Sequence, residues 1–467
     1  MSAQPSSVKI SVKISVKIRV KMNPLVRGRN IAITGTFGAG KSVFMLSLLH
    51  HLHHLDPMQF RLGEKRGKPV RVKGLKSHAV PQAHQHFPYS DEARRLIQPG
   101  GGSWPRRVHS IHRYDLQFRR TGYLLRDRFN LMSFPLERLM DLGIARTPSY
   151  IDWSDRTLFA IDQDPQASRQ ARQYMSHLDS PELNADQLLA SYKQTLTQFV
   201  FDYQTFAAPS TFTIDLEGSR IEGGLPKVVS QSRYAGLPPR EGRAPAEFIP
   251  LSGVTRMRAP QLVTQHERNY HIYRDEVALP LFKEVTQRDT LLVVIDIPGL
   301  LSGGRAAYLE QRWLLEELKG LMRLKGRSRA EFGRSKISKV ALIATKMDLV
   351  RTFERDARVP GLLRQLTDPF TQDLHPSVEV GRFICSPCMS TRTHQDPNTL
   401  IGRMVHASKN SERIERIFSV PEVPRFWPDS EGNSPYGFLK VWPPVLQAHE
   451  NIPRHLRLDD VCRFLLK

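Results

Sequence analysis

The stretch "NIAITGTFGAGKSVFMLSLLHHLHHL", Asn30–Leu55, is the passage on which the fold turns. Ile31 and Ile33 alternate with small or polar residues, the spacing of a buried strand. Gly35-Thr36-Phe37-Gly38-Ala39-Gly40-Lys41-Ser42 then matches G-x-x-x-x-G-K-[ST], and Val43, Phe44, Leu46, Leu48, Leu49 and Leu52 follow at helical spacing. Strand, glycine-rich loop and helix, in that order, give the motif its physical meaning. The glycines let the backbone curl so that N–H groups converge on an anion, and the helix start adds the positive end of its dipole. Lys41 is expected to neutralise the outer phosphates of a nucleotide, and Ser42 to offer its hydroxyl to Mg²⁺. Gly35, Phe37, Gly38, Ala39, Gly40, Lys41, Ser42 and Val43 are therefore the expected phosphate cradle. Four histidines, 50, 51, 53 and 54, lie on the same helix. No Cys or Asp pair nearby completes a metal site, so they are read as a solvated helix face.

A second stretch, "KVALIATKMDLV" (Lys339–Val350), is a buried strand running into Thr345-Lys346-Met347-Asp348. Ras-like GTPases read guanine with [NT]-K-x-D at the end of such a strand. The aspartate accepts from the ring N–H and the exocyclic amine, and the lysine stem packs across the base. Further on, "GRFICSPCMSTRT" gives a short strand, Phe383–Cys385, and a loop in which Ser390 and Thr391 stand where a GTPase places its last base contacts. Cys385 and Cys388 form C-x-x-C, but the chain has only three cysteines, so buried or idle thiols are expected.

A third stretch, "LLVVIDIPGLLSGG" (Leu291–Gly304), ends an apolar run in Asp296 and a turn with Pro298 and Gly299. Asp296 is either a Mg²⁺-facing, catalytic carboxylate or a residue that simply caps its strand and hydrogen-bonds backbone donors.

Taken together the chain resembles the YcjX-like P-loop proteins. The resemblance runs through the phosphate loop, "FPY" (Phe87–Tyr89), "WPRRVHSIHRYDLQF" (Trp104–Phe118), "FPLERLMDLGI" (Phe134–Ile144), "PAEFIPLS" (Pro245–Ser252), "RNYHIYRDEVALPLF" (Arg268–Phe282), "IATKMD" and "HLRLDDVCRFLL" (His455–Leu466). It implies an α/β P-loop NTPase core of the Ras-like G-domain type, a largely helical insertion and a C-terminal extension. It further implies GTP or GDP with Mg²⁺ as ligand, a stress-linked role, and a membrane-associated protein partner, since relatives' genes often neighbour one for a membrane protein. Family members end the third core strand with D-Y-P-G-E, whereas this chain reads Ser133-Phe134-Pro135-Leu136-Glu137. The uncharged Ser133 removes a group that would hold Mg²⁺, and Leu136 restricts the approach a glycine allows. Asp296 would then be the acid left at the metal end. Slow hydrolysis is expected, with a turnover-free scaffold as one alternative and, because Thr345 replaces the commoner Asn, an ATP-binding ATPase as another.

The expected organisation is a repeat extension over 1–22, core over 23–137 and 285–395, insertion over 138–284 and extension over 396–467. The repeat "SVKISVKISVKIRVKM" has strand period, but is expected to lack fixed structure and to precede the working chain. In the insertion, Leu188, Tyr192, Leu196, Phe199 and Tyr203 share one helical face, and "AGLPPREGRAPAEF" reads as loop. The 467 residues carry a net charge of +22, with 40% apolar residues. That balance favours acidic partners, with anionic lipid, RNA and acidic protein all open, beside a plainly solvated surface. The basic runs 61–76 and 323–339 are read as mobile loops. No apolar run approaches the ~18 residues of a membrane helix, and no signal peptide is evident, so a cytoplasmic protein, or one peripheral to the inner membrane, is expected.

Overall fold

The computed structural model describes residues 26–54, 60–81, 85–98, 101–106, 110–201, 209–214, 233–327, 330–405, 414–429, 436–446 and 450–467. The repeat extension and Tyr203 lie outside the described residues.

In chain order the strands are β1 (Val26–Gly35), β2 (Glu64–Lys65), β3 (Lys68–Pro69), β4 (Val72–His78), β5 (Gln85–His86), β6 (His112–Arg120), β7 (Arg126–Ser133), β8 (Gly236–Leu237), β9 (Ala246–Glu247), β10 (Thr290–Asp296), β11 (Lys339–Thr345), β12 (Glu379–Ile384), β13 (Thr391–Thr393), β14 (Thr399–Arg403) and β15 (Glu415–Ser419). An eight-stranded sheet carries the order β12-β11-β10-β1-β7-β6-β4, with β5 beside β6. Every pairing from β12 to β7 is parallel, while β6 runs antiparallel to both β7 and β4. The chain is thus a mixed α/β protein with a mostly parallel central sheet.

A parallel sheet is covered on both faces, so its strands must be apolar on both. Successive residues divide accordingly. Leu291, Val293 and Ile295 of β10 enter one core with Val340, Leu342 and Ala344 of β11, while Leu292, Val294, Ala341 and Ile343 enter the other. The first core is closed by the helices Ile297–Leu318 and Val359–Gln372. The second is closed by α1 (Lys41–His54) and the terminal helix Leu458–Leu466, whose Leu458, Val461, Cys462 and Leu465 are buried with Phe44, Leu48 and Leu52. The C-terminal segment therefore supplies part of the central core. A third core, built from Leu158, Tyr174, Leu188, Tyr192, Leu196, Phe199 and their neighbours, holds the helical region together.

Three local expectations change. The basic run 61–76 is not loop: it forms the β2–β3 hairpin and most of β4, because Val70, Leu75 and Val72 pack into or against the second core while the lysines and arginines between them face water. "AGLPPREGRAPAEF" contains the two-residue hairpin β8–β9. The histidine face is solvated only at its end, where His54 is exposed and His53 half-buried. His50 and His51 are buried, because His50 Nε2 meets the Asn451 carbonyl and His51 packs between Phe60 and His455. Burial lowers the pKa of His50 to about 4 and of His51 to about 2, so both are neutral.

Candidate phosphate- and base-binding site

The glycine-rich loop joins the end of β1 to the start of α1, as its sequence requires. Gly38 and Gly40 have φ of 80° and 95°, the left-handed region that a side chain resists. Gly35 is required for a different reason: a Cβ there would stand 2.3 Å from the Val294 carbonyl oxygen of β10. Inside the loop, Ala39 N donates to the Thr36 carbonyl at 3.0 Å, and Phe44 N to the Gly40 carbonyl at 2.8 Å. Lys41 Nζ donates to the carbonyls of Gly35 and Thr36 at 2.7 and 2.9 Å, which draws it back over the loop. Ser42 is the second residue of α1. Val43 packs against the second core.

Parallel strands end on the same edge of a sheet, so β10 and β11 deliver their last residues beside the loop. Thr345 Oγ1 donates to the Ala39 carbonyl at 2.8 Å and to the Ile295 carbonyl at 3.2 Å, tying the strand end to the loop. Lys346 takes a left-handed conformation (φ 59°) and directs its ammonium to Asp296. Asp348 is buried, and each oxygen of its carboxylate accepts within the protein. One oxygen accepts from Ser386 Oγ, and the other accepts from Ser390 N and Oγ at 2.8 and 2.7 Å. Thr391 Oγ1 donates to the Asp348 carbonyl. The structure thus brings Thr345, Lys346, Asp348, Ser390 and Thr391 together at one end of the sheet.

Asp296 sits at the end of β10, on the opposite side of β1 from Ser133 at the end of β7. One of its oxygens caps the helix Ile297–Leu318, accepting from Gly299 N at 2.9 Å, and the other pairs with Lys346. Among the described residues no hydrogen bond joins Asp296 to Ser42. The geometry is that of the capping role. The side chain of Leu136 is fully buried in the first core with Phe134 and Leu139.

Three partners escaped the sequence reading. Glu137, 3% exposed, accepts from Phe37 N of the glycine-rich loop through Oε1, and its Oε2 is buried with no hydrogen-bond partner among the described residues. The contact sets a carboxylate against a backbone N–H of the loop. Its sequence signal was its place four residues after Ser133. Gln311, on the helix after Asp296, lies 3.5 Å from Thr36 Oγ1. Ser386, between the two cysteines, had no signal of its own. Cys385, Cys388 and Cys462 are free and buried, and burial pushes their thiols well up. A cleft of about 620 Å³ lined by Arg358, Pro421, Glu422, Pro424, Arg425 and Tyr436 includes no residue of either loop.

Among the described residues no helix is long and apolar enough to cross a membrane. No curated protein matches the chain. A family model described as the YcjX-like family, DUF463, matches residues 29–467, from β1 through the terminal helix. With that match extending over nearly the whole sequence, the chain belongs to the YcjX-like family.

Proposed function

We propose that the protein binds a guanine nucleotide with Mg²⁺ and works as a nucleotide-dependent switch with slow hydrolysis. The observation that carries this reading is the 2.8 Å hydrogen bond from Thr345 Oγ1 to the Ala39 carbonyl, which joins the phosphate loop and the base-reading loop into one site. The sheet order β12-β11-β10-β1-β7-β6 supports a Ras-like G-domain core, in which the phosphate-loop strand lies between the strands ending at Ser133 and Asp296. In this reading Gly35 to Val43 hold the phosphates, Lys41 balances their charge and Ser42 contacts the metal. Asp348, steadied by Ser386 and Ser390, accepts from guanine; adenine lacks that donor pair.

Glu137 occupies a loop donor that an anion would use. Phosphate entry therefore displaces its carboxylate, and the residue then stands beside the reacting end of the nucleotide. A reading without turnover, a nucleotide-binding interaction scaffold, is favoured by one observation: Ser133 is uncharged and both oxygens of Asp296 are already committed. Asp296 joins the metal or the chemistry only by releasing Lys346.

Titration of the purified protein with labelled GDP, GTP, ADP and ATP, with and without Mg²⁺, tests the proposal. Tighter binding of GDP and GTP is expected. Equal affinity for ADP would transfer the assignment to an adenine nucleotide, and no binding at all would remove the site. Single-turnover hydrolysis separates the switch from the scaffold.

A further inference from the structure

The end of the sheet remote from the phosphate loop carries an unusual tip. The turn between β6 and β7 presents Leu124 and Leu125 in succession, 93% and 43% exposed. A single exposed leucine is ordinary, but two adjacent exposed ones at the point of a hairpin are not.

The turn is held firmly. Thr121 N donates to the Arg71 carbonyl at 2.9 Å, and Arg71 N donates to Thr121 Oγ1 at 2.9 Å. The Tyr123 ring lies beneath Lys65 Nζ and the Arg120 guanidinium, 3.8 and 4.0 Å from its centroid.

Cations surround the leucines. Lys73 pairs with Arg119 across β4–β6, and Arg119 pairs with Arg126 across β6–β7, so the three stand in one row on one face of the sheet, all exposed. The neighbouring β2–β3 hairpin adds exposed Arg66 and Lys68, and the link from it to β4 adds exposed Arg71. None of these six is in an ion pair among the described residues. Of the two acids in the tip and the neighbouring hairpin, Asp127 is buried and neutralised by Arg29 and Arg120, both at 2.7 Å, while Glu64 of β2 is exposed and is outnumbered by the six cations.

We propose that this tip is a peripheral docking element for an anionic phospholipid surface. Leu124 and Leu125 enter the boundary between headgroups and acyl chains, while the cationic row and the adjacent hairpin meet lipid phosphates. Two weak signals, apolar insertion and polybasic attraction, together give a stable but reversible anchor. Duplex or structured RNA would use the cations but has no place for two leucines. Val26, at the start of β1, pairs with Arg126, so the phosphate loop after Gly35 lies nine residue steps away, about 30 Å from the bound surface. Docking therefore leaves the nucleotide site open and does not require it.

The test is co-sedimentation of the full chain with vesicles of phosphatidylcholine alone and with one-third phosphatidylglycerol. Binding is expected to the anionic vesicles, at least about ten-fold above neutral ones, and to weaken as salt rises from about 0.1 M to about 0.5 M. The pair Leu124→Ser and Leu125→Ser should lower it about ten-fold, and Arg119→Glu with Arg126→Glu should do likewise. Leu124→Phe with Leu125→Phe should retain it. Because these side chains are exposed, unchanged thermal melting of each variant confirms folding. Lys41→Ala should bind vesicles as wild type does, so failure of the nucleotide reading leaves this result standing. No binding to anionic vesicles, or binding indifferent to the serine pair, overturns the proposal. So does RNA binding that competes with vesicles while ignoring the leucines.

Discussion

Replacing Asp296 by alanine should act on stability before it acts on chemistry. One carboxylate oxygen caps the helix Ile297–Leu318 through Gly299 N, and the other pairs with Lys346. Loss of such a cap costs about 1 kcal/mol. The ion pair adds about 0.5 to 1 kcal/mol, toward the low end because the Lys346 side chain is 38% exposed. Asp296→Ala should therefore lose roughly 1.5 to 2 kcal/mol. Asp296→Asn keeps a capping oxygen and loses only the charge, so it should lose about 0.5 to 1 kcal/mol. The difference, about 1 kcal/mol, is close to five-fold in the folding equilibrium. Urea unfolding followed by tryptophan fluorescence reads it as a shift in midpoint at constant slope. The Mg²⁺ dependence of nucleotide affinity is measured in parallel. If Asp296→Ala unfolds at the wild-type urea concentration but loses its response to Mg²⁺, Asp296 is a metal group and the capping argument is wrong.

Lys41→Ala should abolish or severely weaken triphosphate binding; unchanged affinity in a binding titration would remove the phosphate loop from the proposal. Ser133→Asp should raise Mg²⁺-dependent single-turnover hydrolysis by about 10²-fold if a missing carboxylate limits the rate. Adding Leu136→Gly is predicted to obscure that gain, because emptying this fully buried site costs about 3 to 5 kcal/mol, which thermal melting of the double variant would show. Stability should fall as pH drops below about 6.5, the ordinary histidine value. Burial lowers His50 to about 4 and His51 to about 2, so only the unfolded chain takes up these protons, and each histidine removes up to about 1.4 kcal/mol per pH unit between pH 6.5 and 4. His51→Asn should flatten the slope of urea stability between pH 6.5 and 5, and an unaltered slope would show that His51 does not titrate as its burial requires.

The sequence by itself determined what neighbouring residues decide. Glycines that must adopt positive φ, set between a strand pattern and a helix pattern, specify the loop at 35–42 whatever surrounds it. The apolar runs at 291–295 and 340–344 mark buried strands in the sequence, and both strands formed there. Tertiary structure alone decided which polar groups meet. Glu137 reaches Phe37 across 100 residues, Lys346 reaches Asp296 across 50, and His50 reaches Asn451 across 401. None of these pairs leaves a local pattern, because each depends on where sheet order brings two distant strand ends or helix faces. The same reason separates two readings of charged residues. The lysines and arginines of 61–76 hid a strand, because alternation on a half-exposed edge resembles a polar loop until its apolar partners are known. Asp296 looked equally suited to metal and cap, because a carboxylate after an apolar strand has the same sequence in either role. What the fold adds is the partners of its two oxygens, Gly299 N on one and, on the other, Lys346, delivered by the neighbouring parallel strand.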